Sequence, residues 1–321
     1  MTAKPDLLVT SPMMPLILEG VTAAFTVHRL DLAADKDALL AQLAPTCRFV
    51  VTGGHAHVDG AFMDKLPRLE IIANFGVGYD TVDANAAAAR SIVVTNTPNV
   101  LTEDVADLAL GLLLATVREL PQSDRFLREG RWLKGQYPLT RASLQGRTMG
   151  IVGLGRIGKA IARRSEAFGV PVSYYGRRQQ EDVSYPYFDD LVALARAVDI
   201  LMVVIPGGPA TRNLIDARVL EALGPNGILI NVARGTVVDE DALVEALASG
   251  KILSAGLDVF AEEPKVPQAL IDMPHIVLLP HVGSATIHTR AAMGQLVVDN
   301  VVAWRDGKAP LTPVAETPSP R

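Results

Sequence analysis

Residues 149–164, MGIVGLGRIGKAIARR, constrain the chain more than any other stretch, because an apolar strand runs directly into a glycine turn and an amphipathic helix. Gly153, Gly155 and Gly158 form G-x-G-x-x-G in the strand–turn–helix setting that this motif needs. Gly153 permits the tight turn, Gly155 lets the backbone approach a pyrophosphate, and Gly158 lets the helix pack closely on the strand. The N–H groups at the helix N-terminus face the anion. Ile161, Ala162, Ser165 and Phe168 share one face of that helix. A glycine-rich structural turn is the alternative; these flanks favour a dinucleotide site.

The 321 residues are enough for two domains with substantial cores. Short β-rich runs alternate with helical stretches from end to end, and 26 glycines suit the many strand-to-helix turns of an α/β protein. Candidate strands in the first third are 7–11, 25–30, 48–52, 71–74 and 92–95, with helices such as 37–43 and 81–90 between them. A long helix over 101–118, with Glu103 and Asp104 in its first turn, reads as a connector. Residues 119–147 read as an irregular arm. Further strands are expected at 150–152, 172–175, 200–205, 228–232, 254–259 and 276–279. A helix over 240–249 has Asp239 as candidate N-cap and Gly250 beyond its end. A last helix covers about 285–305, and the Pro-rich tail LTPVAETPSPR is expected to be extended or disordered.

A net charge of −5 without a long basic tract argues against nucleic acid as the main partner. Cys47 is the single cysteine, so no intrachain disulfide can form. No signal-peptide pattern opens the chain, and residues 106–117 are too short to span a bilayer. A cytoplasmic protein without membrane attachment is the expectation.

Ligands of an open parallel sheet sit beyond the carboxyl ends of its strands. After the strand at 172–175 come Arg177 and Arg178, where an NAD-specific protein places an acid for the ribose 2′-hydroxyl. Guanidinium groups suit a 2′-phosphate instead, so NADPH is expected over NADH. The turn after Ile205 (Pro206 to Thr211) either borders the cofactor, with Thr211 touching phosphate or ribose, or is a plain turn. Arg234 follows Val232 and Ala233 at the mouth of a buried strand, which is costly unless it meets an anion such as a substrate carboxylate. An interdomain ion pair is its alternative. Asp258 accepts from a nicotinamide carboxamide or caps a loop. His281, fixed by Pro280 at a strand end, is an acid/base candidate. His55 and His57 mimic a metal pair, but no third ligand is evident and no metal site is expected. His28, His275 and His288 have no catalytic partners that the sequence names.

Together these residues resemble the D-isomer-specific 2-hydroxyacid dehydrogenase family. GVGYD at Gly76, VGLGRIG at Val152, NVARGTVVDEDAL at Asn231, AGLDVFAEEP at Ala255 and LPHVGSAT at Leu279 follow the family's order over nearly the whole chain. Within the family the chain looks most like NADPH-dependent glyoxylate/hydroxypyruvate reductases and the similar hydroxyphenylpyruvate reductases. The resemblance implies two doubly wound parallel-sheet α/β domains, a Rossmann nucleotide-binding domain inserted into a flavodoxin-like substrate domain. Residues 1–99 and 286–321 would form the substrate domain, and 100–285, with connector helix and arm, the NAD(P)-binding domain.

The resemblance also implies roles. Arg234 holds the substrate carboxylate and carbonyl oxygen, His281 is the general acid/base, and Glu263 pairs with His281. The N–H groups of Val77 and Gly78 bind the carboxylate from the other domain. The cofactor set is Gly153, Leu154, Gly155, Arg156, Ile157, Arg177, Arg178, Ile205, Pro206, Thr211, Val232, Ala233, Arg234, Asp258, His281 and Gly283, with Arg156 and Ile157 at the pyrophosphate and Asp258 at the nicotinamide. A homodimer is implied, with Trp132 or Tyr137 either packing within the arm or reaching the neighbour's pocket, and closure of the domains around the ligands is expected.

Hydride transfer to C2 of a small 2-keto acid needs an oriented carboxylate and a proton for the developing alkoxide. Arg234 and His281 meet those needs, and reductive activity should fade at alkaline pH as the proton donor is lost. Glu263 argues against the formate dehydrogenases of the family, which carry an amide there, and the length argues against phosphoglycerate enzymes with added regulatory domains. Phosphite oxidation is compatible with the same three residues. A nucleotide-sensing corepressor scaffold is the non-enzymatic alternative, for which no sequence feature speaks.

Overall fold

The apolar runs punctuated by glycine and proline become parallel strands in both units of the chain, Met1–Leu101 with Thr286–Arg321, and Thr102–Ala285. The computed structural model describes residues 4–54 and 56–318. In the first unit the order along the chain is β1 (Asp6–Val9), α1 (Pro15–Ala24), β2 (Thr26–Arg29), α2 (Lys36–Leu43), β3 (Phe49–Gly53), α3 (Gly60–Asp64), β4 (Ile71–Phe75), α4 (Ala84–Ala89) and β5 (Val93–Thr95). The strands pair in the order β2-β1-β3-β4-β5, all parallel. Every residue of β3 is buried, as expected for a central strand covered on both faces. Asp35, Asp59 and Asp83 open α2, α3 and α4 by accepting N–H bonds from Ala38, Phe62 and Ala86.

The second unit runs α5 (Thr102–Val117), α6 (Leu120–Arg128), β6 (Met149–Val152), α7 (Arg156–Ala167), β7 (Val172–Tyr175), β8 (Tyr187–Phe188), α8 (Leu191–Ala197), β9 (Ile200–Val203), α9 (Ala217–Leu223), β10 (Ile228–Asn231), α10 (Glu240–Ala248), β11 (Ser254–Leu257), α11 (Gln268–Ile271) and β12 (Val277–Leu278). Its parallel order is β12-β11-β10-β9-β6-β7-β8. Because β6 pairs with both β7 and β9, the winding reverses there and opens a crevice beyond the carboxyl ends. Alternation divides the apolar residues between two layers, Leu201 and Val203 on one and Ile200 and Met202 on the other. Asp239 caps α10 by accepting from the Ala242 N–H.

The chain then returns to the first unit through α12 (Ile287–Arg305), which packs on α1 and β4 and is capped by Thr286. One part of the sequence reading needs correction. Residues 119–147, read as irregular, hold α6, with Pro121 in its first turn and Phe126 buried. The tail takes the extended form of the two expected, and residues 311–318 are held against β5: Thr95 bridges to Pro313, Val314 donates to the Val94 carbonyl, and the Thr317 hydroxyl accepts from the Val94 N–H. The short β8 was also not foreseen.

One close approach shapes the carboxyl edge of the larger sheet. A Cβ at Gly235 would lie 1.8 Å from the carbonyl carbon of Phe260 and 2.2 Å from the Ala261 nitrogen, so the turn after β10 touches the backbone after β11. Gly235→Ala must therefore push two backbone segments apart and should cost about 1–3 kcal/mol or more. Thermal denaturation should show a midpoint lowered by several degrees; an unchanged midpoint would mean that the two segments part freely.

Candidate active site

The dinucleotide turn is set by contacts that only glycine allows. Gly153 has φ +100°, and a Cβ there would sit 2.3 Å from Cγ2 of Ile205. A Cβ on Gly158 would lie 2.3 Å from the Gly153 carbonyl oxygen, which locks α7 onto the turn. Gly155, by contrast, faces open space and is the N-cap of α7 with no side chain bonded to the helix N-terminus. A cradle of this kind, bare backbone with N–H groups outward, fits a pyrophosphate. Arg156 and Ile157 begin the helix, and Leu154 is buried beneath the turn. Gln180 was not singled out by sequence: its Nε2 donates to the Leu154 carbonyl at 2.8 Å and ties the loop after β7 to the glycine turn.

Arg177 and Arg178 follow β7 and are exposed, and among the described residues neither is ion-paired with a carboxylate. Of the two adjacent acids in this loop, Glu181 and Asp182, the second is held by Lys159 at 2.6 Å. After β9, Ile205 packs on the glycine turn and the Thr211 hydroxyl donates to the Pro206 carbonyl at 2.8 Å. Its proton therefore points into its own turn.

The chemistry-bearing side chains stand at the ends of β10, β11 and β12, which are neighbours. Asn231 brackets the first of these turns, accepting from the Ala233 N–H and donating to the Arg234 carbonyl, both at 3.0 Å. Val232 donates its N–H to the Val203 carbonyl. Arg234 projects from this bracket, half-buried, with Nη1 donating to the Ala233 carbonyl at 2.8 Å. Asp258, only 2% exposed, caps the loop after β12: it accepts from the Val282 N–H (2.7 Å) and the Gly283 N–H (2.8 Å), and its carbonyl accepts from the His281 N–H (2.8 Å). Burial pushes the Asp258 carboxyl up, and the backbone donors partly offset that. His281 sits at φ +53°, which turns its ring to Glu263. Nδ1 lies 2.7 Å from Glu263 Oε2, while Oε1 of the same carboxylate accepts the Phe260 N–H at 3.0 Å. With Nδ1 engaged, Nε2 is the ring nitrogen that can exchange a proton with a ligand.

In the other unit, Val77 and Gly78 form the turn after β4, whose carbonyls are held by Asn74 and Asn96. The remaining histidines have local roles. His28 bonds Asp6 at 2.8 Å, and Thr46 and His28 hold that carboxyl below its usual range. Burial lowers His275, whose carbonyl accepts from Ser254. His57 and His288 are exposed, and His55 lies outside the described residues. Among the described residues no group of three or more His, Cys, Asp or Glu is placed to hold a metal, and no helix is long and apolar enough to cross a membrane.

Residues 110–283 match the D-isomer specific 2-hydroxyacid dehydrogenase NAD binding domain. Over 307 residues the chain is 45% identical to a glyoxylate/hydroxypyruvate reductase of Arabidopsis thaliana, spanning 96% of this chain and 98% of that protein. It is 44% identical to a hydroxyphenylpyruvate reductase of Plectranthus scutellarioides over the same shares. The crystal structure of an NADPH-dependent glyoxylate/hydroxypyruvate reductase from Sinorhizobium meliloti, in complex with NADP and malonate, superposes with a TM-score of 0.95 at 52% identity over 99% of each chain. The chain belongs to the D-isomer specific 2-hydroxyacid dehydrogenase family.

Proposed function

We propose that the protein uses NADPH to reduce small 2-keto acids, glyoxylate and hydroxypyruvate among them, to D-2-hydroxy acids. The observation that carries this reading is the His281–Glu263 pair, 2.7 Å apart, at the carboxyl edge of the sheet that also bears the glycine cradle. The activities named for the Arabidopsis and Sinorhizobium relatives support the substrate class, and the NADP of the latter supports the cofactor. The Plectranthus relative makes 4-hydroxyphenylpyruvate the second substrate to consider.

Gly153, Gly155 and the first residues of α7 would hold the pyrophosphate, and Arg177 and Arg178 the 2′-phosphate. A bound nicotinamide supplies the hydride. Arg234 orients the substrate carboxylate through its planar fork and polarises the adjacent carbonyl, stabilising the negative charge that grows on oxygen. In the other unit, the N–H groups of Val77 and Gly78 would serve as donors to a substrate carboxylate. His281 delivers its proton from Nε2 to the alkoxide, and Glu263 fixes the ring's orientation for that transfer. Asp258 acts through the backbone, holding the loop that carries His281.

Trp132, Leu133 and Leu139 are 65%, 93% and 95% exposed on the arm, an apolar surface suited to a second copy of the chain. The Tyr137 hydroxyl donates to Glu119 of its own chain. Trp132 is therefore the residue we assign to the neighbour's pocket in a homodimer. The one cysteine, Cys47, is buried with its thiol pushed up to about 11, which leaves it unreactive.

A panel of 2-keto acids with NADPH, including glyoxylate, hydroxypyruvate and 4-hydroxyphenylpyruvate, tests the reading directly; no turnover with any of them overturns it. His281→Ala should lower kcat by roughly 10²- to 10⁴-fold, and near-normal turnover removes His281 from proton transfer. Arg234→Lys keeps the charge and loses the fork, so KM for the keto acid should rise strongly. An unchanged KM assigns Arg234 to structure. The wild type should show the higher kcat/KM with NADPH, and replacing both Arg177 and Arg178 by Ala should narrow that preference by at least about tenfold. A preference retained by the double variant places the 2′-phosphate elsewhere.

A further inference from the structure

The turn after β4 is held from behind at three successive carbonyls. Asn74, 2% exposed near the end of β4, donates from Nδ2 to the Gly76 carbonyl at 3.2 Å and to the Gly78 carbonyl at 3.0 Å. Asn96, just past β5, donates from Nδ2 to the Val77 carbonyl between them at 2.8 Å. The Thr97 N–H adds a second donor to the Gly76 carbonyl at 3.0 Å.

In a trans peptide the carbonyl and the following N–H point in opposite directions. Fixing the Gly76 carbonyl therefore turns the Val77 N–H away from Asn74, and fixing the Val77 carbonyl turns the Gly78 N–H away from Asn96. Asn96 is itself anchored. Its carbonyl accepts from the Thr312 hydroxyl at 2.7 Å, that hydroxyl accepts from Asn300 Nδ2 at 2.9 Å, and Asn300 is fully buried on α12. Asn300 Oδ1 in turn accepts from the Leu311 and Thr312 N–H groups at 2.8 and 3.1 Å. A continuous set of hydrogen bonds thus runs from the last helix to the peptide between Val77 and Gly78.

We propose that Asn74 and Asn96 are positioning residues for the substrate carboxylate: by holding the carbonyls of Gly76, Val77 and Gly78 they aim the Val77 and Gly78 N–H groups at it. This rests on the function proposed above. The carboxamide suits the task because it donates without carrying charge. A carboxylate in its place would repel both the loop carbonyls and the anionic substrate.

The test uses the full chain with NADPH and glyoxylate, and the variants Asn96→Ala, Asn96→Asp and Asn74→Ala. Misaimed donors weaken carboxylate binding, so KM for glyoxylate and the inhibition constant of oxalate should rise together by about tenfold or more, with Asn96→Asp the worst. NADPH affinity, read by its fluorescence on binding, should stay within about twofold of wild type, because the cofactor site draws on other residues. A purely structural role predicts a lower melting temperature and a smaller active fraction, hence a lower kcat at unchanged KM. If KM and the oxalate constant stay within about twofold of wild type, the inference is overturned while the proposed function stands. If the wild type turns over no 2-keto acid, both fall. Should Asn74→Ala fail to fold, the two half-buried Asn96 variants carry the test.

Discussion

The carboxyl edge of the nucleotide-binding unit depends on one buried acidic side chain. Asp258 takes the N–H groups of Val282 and Gly283 on its two oxygens and that of His281 on its carbonyl, so three successive peptides of the loop after β12 close on a single residue at the end of β11. That clamp lets His281 stand at φ +53°, a left-handed conformation that costs a residue with a side chain about 1–2 kcal/mol. The two hydrogen bonds accepted from Val282 and Gly283, each worth about 1 kcal/mol net, offset that cost. The strained backbone is what swings the imidazole towards Glu263. Without Asp258 the loop would relax to ordinary extended geometry and the 2.7 Å contact with Glu263 would open.

Around this clamp the sheet supplies register rather than chemistry. Parallel strands β10, β11 and β12 end side by side, so residues far apart in the chain, 234, 258 and 281, reach the same edge. The hydrogen bond from the Asp258 N–H to the Asn231 carbonyl is the last rung of the ladder and links the Arg234 turn to the His281 clamp. Gly235 tightens the link, since the backbone of Phe260 occupies the space a side chain would need. The Phe260 N–H then steadies Glu263, so a contact of one glycine is felt at the carboxylate that orients the imidazole.

What the sequence revealed and what it hid divide along physical lines. The glycine cradle, the strand-end arginine and histidine and the Asp239 cap were legible because each is a local rule: a turn, a strand end or a helix start selects a residue type within a few positions. The helix α6 was hidden because Gly130, Gly135 and Pro138 punctuate the segment, and its burial of Phe126 depends on Tyr137, Arg131 and other neighbours. β8 was hidden because two residues carry no period. The extended form of the tail was legible in its prolines but its partner was not, because Thr317 and Val314 meet Val94, more than two hundred residues earlier. Asn74, Asn96, Gln180 and Asn231 left no sequence signal. A carboxamide's value lies in which carbonyl it meets, and only the fold decides that.

Those four carboxamides share a logic. Each donates to the carbonyl of a loop at a strand's carboxyl end: Leu154 in the glycine turn, Arg234 in the arginine turn, and Gly76, Val77 and Gly78 in the turn after β4. These loops turn the bonded carbonyls inward, where water is scarce and an unpaired acceptor is costly. A lysine or arginine behind the loop would satisfy those carbonyls but would also compete for the anion, and a hydroxyl has only one proton to give. The neutral, two-donor carboxamide meets the demand without altering the charge of the site. On the function proposed above, the anions would then be selected by the guanidiniums of Arg177, Arg178 and Arg234 and not by the scaffold behind them.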